Sequence, residues 1–129
     1  MKLLLDTQLL LWASVGSARL PKIAIARLEA PDAELVFSAA SIWEVAIKST
    51  LARAEFDFDA NVLRRGLFDN GYAELAITGV HAAQVVALPP IHRDPFDRLL
   101  VAQAIAEGMT LVTVDQTLAR YPGPVELLA

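Results

Sequence analysis

An α/β fold with a mainly parallel central sheet follows from three observations. Short apolar runs of strand length alternate along the chain with amphipathic helical patterns, the order that builds a parallel sheet covered by helices. Hydrophobic residues make up 55% of the 129 residues, above the usual share for a soluble domain, as strands buried on both faces require. No apolar run reaches membrane-spanning length, because Leu9-Leu10-Leu11-Trp12-Ala13 is soon interrupted by Ser14, Gly16 and Ser17. The expectation is one domain over residues 1–129, a three-layer α/β/α sandwich with four to five strands.

The elements follow in order. Lys2 to Leu5 reads as a short buried strand ended by Asp6 and Thr7, and Gln8 to Ala13 as the first helix. Gly16 to Leu20 is a turn, and Pro21 suits the first position of a helix reaching about Glu29. Pro31-Asp32 breaks it, Glu34 to Phe37 is the second strand, and Ser38 or Ser41 begins a long helix to about Arg53. Asp59 to Phe68 is amphipathic, with Val62, Leu63 and Leu67 on one side and Arg64 and Arg65 on a solvated face; Asn70-Gly71 closes it. Ala73 to Ile77 is a third strand, Val80 to Leu88 a helix, and Pro89-Pro90 opens a loop ending at Asp94-Pro95. Phe96 to Glu107 is a strong helix stopped by Gly108, and Thr110 to Val114 a fourth strand. Asp115 to Arg120 is a short helix and Val125 to Leu128 a fifth strand. This pattern does not dictate the order of strands in the sheet.

Composition narrows the function. The absence of cysteine excludes disulfides and thiolate metal sites and makes a cytoplasmic location the default. One lysine and three leucines before Asp6 are too short for a signal-peptide core. A net charge of −4 argues against a general polyanion binder, so nucleic-acid contact has to be local. There is no phosphate-binding G-x-x-x-x-G-K-[ST] loop, no G-x-G-x-x-G turn and no G-x-S-x-G elbow.

Four acidic residues sit where an apolar run gives way to a helical pattern: Asp6, Glu44, Asp97 and Asp115. In a parallel sheet the carboxyl ends of the strands share one edge, where ligands bind. Carboxylates gathered there repel one another and need shared protons or a divalent cation, and Mg²⁺ and Mn²⁺ favour oxygen ligands. Each acid also has a structural explanation. Asp6 and Asp115 can cap helices, Glu44 completes a Ser41-x-x-Glu44 capping box or pairs with Lys48, and Asp94-Pro95-Phe96-Asp97 reads as a capped helix start. Neutral caps would serve equally well, so four carboxylates at four such ends favour a metal site.

The remaining polar residues carry less information. Thr7 and Thr113 can orient a ligand or simply make strand-end hydrogen bonds. Arg93 and Arg98 can grip phosphates or balance the acids. His81 reads as a helix-surface residue and His92 as a loop residue near the site, with contact to substrate as its alternative; neither has metal-ligand spacing. Trp12 and Trp43 read as core or interface anchors rather than base-stacking platforms.

Over essentially its whole length the chain resembles PIN-domain ribonucleases of the VapC toxin type. The marks are Leu4-Leu5-Asp6-Thr7, the Ser41-to-Lys48 block Ser-Ile-Trp-Glu-Val-Ala-Ile-Lys, the His92-to-Ala104 block around Asp94-Pro95-Phe96-Asp97-Arg98, and Leu111-Val112-Thr113-Val114-Asp115. The resemblance implies a PIN-like sandwich and a four-acid site for Mg²⁺ or Mn²⁺ made of Asp6, Glu44, Asp97 and Asp115. The third acid falls in the Asp94-to-Asp97 stretch and is assigned to Asp97, with Asp94 a cap or supporting residue. Gln8 stands where some relatives carry histidine or asparagine. The resemblance further implies hydrolysis of RNA leaving 5′-phosphate and 3′-hydroxyl ends, a cognate antitoxin whose tail lies in an apolar groove, and a homodimer. The alternatives are a non-catalytic binding module of the same fold and a receiver-like phosphoryl-transfer domain. The latter lacks its usual acid beside Asp6 and its late lysine, since no lysine follows Lys48.

Overall fold

The computed structural model describes residues 1–51 and 57–129. Five strands form one sheet in the order β3-β2-β1-β4-β5: β1 (Lys2–Leu5), β2 (Glu34–Ser38), β3 (Ala73–Leu75), β4 (Thr110–Thr113) and β5 (Val125–Leu127). All four pairings are parallel. The helices are α1 (Thr7–Val15), α2 (Lys22–Leu28), α3 (Ala39–Thr50), α4 (Ala60–Asp69), α5 (Gly79–Gln84) and α6 (Pro95–Glu107), with short 3-10 turns at Val85–Ala87 and Leu118–Arg120.

The pleat explains the three layers. Successive strand side chains point to opposite faces. Leu3, Leu5, Phe37 and Val112 therefore pack on one side with Leu9, Leu10, Leu63 and Leu67 from α1 and α4. Leu4, Val36 and Leu111 pack on the other with Leu100, Val101 and Ala104 of α6. Leu3, Leu4 and Leu5 are each 0% exposed, and burying such a side chain stabilises the fold by roughly 1.5–3 kcal/mol. The expected α/β/α sandwich is the observed architecture.

The chain moves outward from β1 through β2 to β3, then returns to lay β4 on the other side of β1. The crevice between β1 and β4 is thus a topological switch point, where open α/β sheets bind ligands.

Several boundaries differ from the sequence reading for local reasons. Pro21 is the N-cap of α2, not its first residue, because its ψ of 148° is extended. Ser38, not Ser41, caps α3 by accepting from Ala40 N–H at 3.0 Å, so the Ser41–Glu44 capping box does not form. β3 stops at Leu75, leaving Ile77 38% exposed. The Val80–Leu88 helix breaks into α5 and a 3-10 turn before Pro89, and after Asp115 only the 3-10 turn Leu118–Arg120 forms. The expected helix end at Arg53 lies outside the described residues. Trp43 is 56% exposed, its ring edge against Phe96 at a centroid distance of 5.1 Å, so it is not a core residue. His81 is not a surface residue: it is 1% exposed, its Nδ1 accepts from Thr78 N–H at 3.1 Å, and its Nε2 lies 2.7 Å from Glu107. Among the described residues no helix is long and apolar enough to cross a membrane.

Candidate metal centre

Asp6 ends β1 at the switch point and is 3% exposed. One of its oxygens caps α1 by accepting from Leu9 N–H at 2.7 Å. The other accepts the hydroxyl of Thr113 at the end of β4. Burial pushes the Asp6 carboxyl up to about 6 against these two hydrogen bonds, and the charges of Asp115 and Glu44 add to the rise.

Glu44 enters from α3, which Ser38 starts directly from the end of β2. It lies in the second turn of that helix, 3% exposed. Its Oε1 accepts from the Thr7 hydroxyl at 2.7 Å, and Thr7 Oγ1 is 2.9 Å from Ser41 Oγ. Its Oε2 meets Lys48 Nζ at 2.5 Å, and the same ammonium reaches Asp94 Oδ2 at 3.3 Å. Burial opposes the charge on Lys48, but its hydrogen bonds and charge attraction to Glu44 and Asp94 raise its pKa overall.

The α6 start divides two acids between two tasks. Asp94 is the N-cap, its Oδ1 accepting from Phe96 N–H at 2.8 Å and Asp97 N–H at 3.2 Å, with Pro95 following. Asp97 makes no cap. Burial, then the charges of Asp94, Glu44, Asp6 and Asp115, push its carboxyl up to about 8. Three acids far from Asp97 in sequence, Asp6, Glu44 and Asp115, therefore act electrostatically on its carboxyl.

Asp115 follows β4. Its Oδ1 accepts from Thr117 N–H at 2.8 Å and Leu118 N–H at 3.4 Å, while its own N–H donates to Thr113 Oγ1 at 2.9 Å. Its Oδ2 faces His92, whose Nε2 lies 3.4 Å away and 3.3 Å from Asp97 Oδ2. One ligand atom each from His92, Asp97 and Asp115 falls within 4.8 Å of the others. Asp6 and Glu44 are more deeply buried, with both oxygens of each engaged by protein donors.

Two expected participants stand differently. Arg98 does not face the acids. Its guanidinium donates to the carbonyls of Pro89 at 3.0 Å and Val85 at 3.2 Å, and to Tyr121 Oη at 3.1 Å. It braces the loop before α6. His92, expected as a loop residue near the site, belongs to the cluster. The usable hint was its position two residues before the Asp94 cap.

The donor set fits a hard divalent cation. Its groups are carboxylate oxygens with one imidazole at the rim, and Mg²⁺ and Mn²⁺ take such oxygens. A carboxyl held up to about 8 by burial and by its neighbours' charges keeps its proton at neutral pH unless a counter-charge replaces it.

Comparison with known proteins shows the family and the fold. The family described as PIN domain matches residues 3–124. The protein named Ribonuclease VapC22 from Mycobacterium tuberculosis is 35% identical over 125 residues, 95% of each chain. The fold superimposes on VapBC2 from Rickettsia felis, solved bound to a promoter DNA fragment, with a TM-score of 0.72 at 18% identity over 100% of both chains. DNA-bound VapBC from Salmonella typhimurium gives 0.70 at 17% identity, covering 100% of this chain and 99% of that one.

Proposed function

We infer that this chain, which belongs to the PIN-domain family, is a divalent-metal-dependent endoribonuclease serving as the toxin of a toxin–antitoxin pair. The relative over 95% of its length is named a ribonuclease, and structures sharing its fold are VapBC and toxin–antitoxin complexes. The observation that carries the reading is the meeting of Asp97 with Asp115 within 4.8 Å, beside the buried carboxylates of Asp6 and Glu44, whose charges, after burial, raise the Asp97 pKa. Asp94 would act on Asp97 as the cap of the same helix, but Glu44, Asp6 and Asp115 would not do so from separate helix ends in bulk water.

Asp6, Glu44, Asp97 and Asp115 would hold Mg²⁺ or Mn²⁺. When bound, such a cation lowers the pKa of a water and neutralises charge developing on phosphoryl oxygens. The protein's own groups do the positioning. Thr113 and Leu9 N–H fix the two oxygens of Asp6, and Thr7 and Lys48 fix those of Glu44. Asp94 and Pro95 set the start of α6 and so the direction of Asp97. Arg93, exposed between His92 and Asp94 in the chain, would meet an RNA phosphate.

An apolar groove of about 680 Å³ between α1, α2 and α4, lined by Val15, Leu20, Ile25, Val62 and Tyr72 among others, is the seat for an antitoxin tail. Trp43 and Ile47, exposed one turn apart on α3, suit a homodimer contact. The purified chain should cleave RNA with Mg²⁺ or Mn²⁺, lose that activity in excess EDTA, and lose it in Asp6→Asn. Activity that survives both changes would refute the assignment.

A further inference from the structure

His92 brings to the site a kind of group that the acids do not supply, and three contacts hold it. Its backbone N–H donates to Tyr121 Oη at 2.9 Å. Tyr121 is 3% exposed and receives a second hydrogen bond from Arg98 at 3.1 Å. The ring Nδ1 accepts from Asp94 N–H at 3.0 Å. A ring nitrogen that accepts from an N–H carries no proton, so the neutral imidazole carries its proton on Nε2. Nε2, which then carries the proton, lies 3.3 Å from Asp97 Oδ2 and 3.4 Å from Asp115 Oδ2.

A metal-ligating imidazole is arranged the other way round. It offers a lone pair to the cation and donates its remaining N–H to a carbonyl or carboxylate. In His92 the remaining nitrogen faces a donor, so ligation through Nε2 would set a proton on Nδ1 against the Asp94 N–H. The ring also lies on the open side of the cluster, with side-chain exposures of 21% for His92 and 40% for Asp115 against 4% for Glu44. An anionic substrate approaching an anionic site needs donors at that mouth. Lys48 is turned to Glu44 and Asp94, and Arg98 to backbone carbonyls.

We propose that His92 is a substrate-contacting residue, its Nε2–H donating to a phosphate oxygen of the RNA, and not a ligand of the cation. With Asp97 and Asp115 holding a cation, this N–H would be left to meet the substrate anion. The inference rests on the ribonuclease reading above.

Long-range proton–nitrogen correlation spectra of the full chain, at a pH where the ring is neutral, read the tautomer directly. The expected result is a protonated Nε2 with and without saturating Mg²⁺. Transfer of the proton to Nδ1 on adding Mg²⁺ would overturn the proposal. Calorimetry provides a second reading: His92→Leu should bind Mg²⁺ and Mn²⁺ within about twofold of wild type, whereas losing a group that orders the metal costs about tenfold or more. On an unstructured RNA oligonucleotide, His92→Leu should raise KM about tenfold with a smaller change in kcat, the size of one lost hydrogen bond to a charged group. His92→Gln, which keeps an N–H donor, should recover part of the loss. An unchanged KM in His92→Leu would contradict the phosphate contact. Failure of wild type to cleave RNA would remove the ribonuclease reading, while the spectra and calorimetry still decide whether His92 is a ligand.

Discussion

The Thr113 hydroxyl donates to the Asp6 carboxylate across the β1–β4 junction, joining residues 107 positions apart. It is a side-chain tie between the two strand ends that flank the switch point, beside the backbone bond from Asp6 N–H to the Val112 carbonyl at 3.0 Å. The Thr113 hydroxyl oxygen also receives the N–H of Asp115 at 2.9 Å. One hydroxyl thereby sets the position of two acids.

Thr113→Val keeps the shape of the side chain and removes that hydroxyl. Asp6 loses a donor while 3% exposed, and a buried group left short of a partner costs about 1–3 kcal/mol. Urea denaturation should show a loss in that range, and calorimetry a weaker Mg²⁺ affinity. Wild-type values for both would show that the hydroxyl positions neither acid.

Stability should depend on pH with a definite sign. Burial and neighbouring charge raise Asp97 from 3.8 to about 8, and burial raises Asp6 from 3.8 to about 6. A carboxyl raised in the folded state binds more protons folded than unfolded between its two pKa values. Stability from these groups is therefore fully present below about pH 4 and is lost as pH rises, through about 6 for Asp6 and about 8 for Asp97. In metal-free buffer, urea stability should fall by a few kcal/mol over that window, as an order of magnitude. Asp97→Asn should flatten the upper part of the slope, and saturating Mg²⁺ should do the same in wild type. A stability that climbs from pH 6 to 8 without metal would run against the electrostatics described.

Lys48→Met strips the ammonium from Glu44, leaving a carboxylate that is 3% exposed beside Thr7 alone. Breaking one side of a buried ion pair costs on the order of 3–5 kcal/mol, and the partly exposed Lys48 places this case at the lower end. Adding Glu44→Gln should recover much of the loss in a double-mutant cycle. Additive effects of the two substitutions would mean that the pair is not coupled.

Tyr121→Phe tests the brace behind His92. It removes the acceptor for His92 N–H and for Arg98 Nη1. The expected loss is about 1–2 kcal/mol in thermal or urea unfolding, with faster hydrogen exchange at the His92 amide. Unchanged exchange at that amide would show the loop to be held by other means.

Much of this architecture could be read from local pattern. Leu3-Leu4-Leu5 followed by Asp6 is a buried strand delivering an acid to a helix start, and Asp94-Pro95 announces α6. The strand order could not be read, because pairing β1 with β4 depends on contacts made after distant segments meet. Ser38 captured the α3 cap from Ser41 because the helix starts directly at the end of β2, and no local signal separates two serines three residues apart. His81 was misread as exposed because its ring closes a capping box with Thr78 and then lies against α6 residues Gln103 and Glu107. The place of His92 depends on where the Pro89–Asp94 loop lands, which Arg98 and Tyr121 determine from outside that segment.

The most direct test is a crystal of the chain soaked in Mn²⁺ and measured for anomalous scattering. The account predicts a peak within coordination distance of oxygens from Asp6, Glu44, Asp97 and Asp115, directly or through water, and its loss in Asp97→Asn. A fully occupied soak with no peak among these four side chains, or with one only elsewhere on the surface, would contradict it.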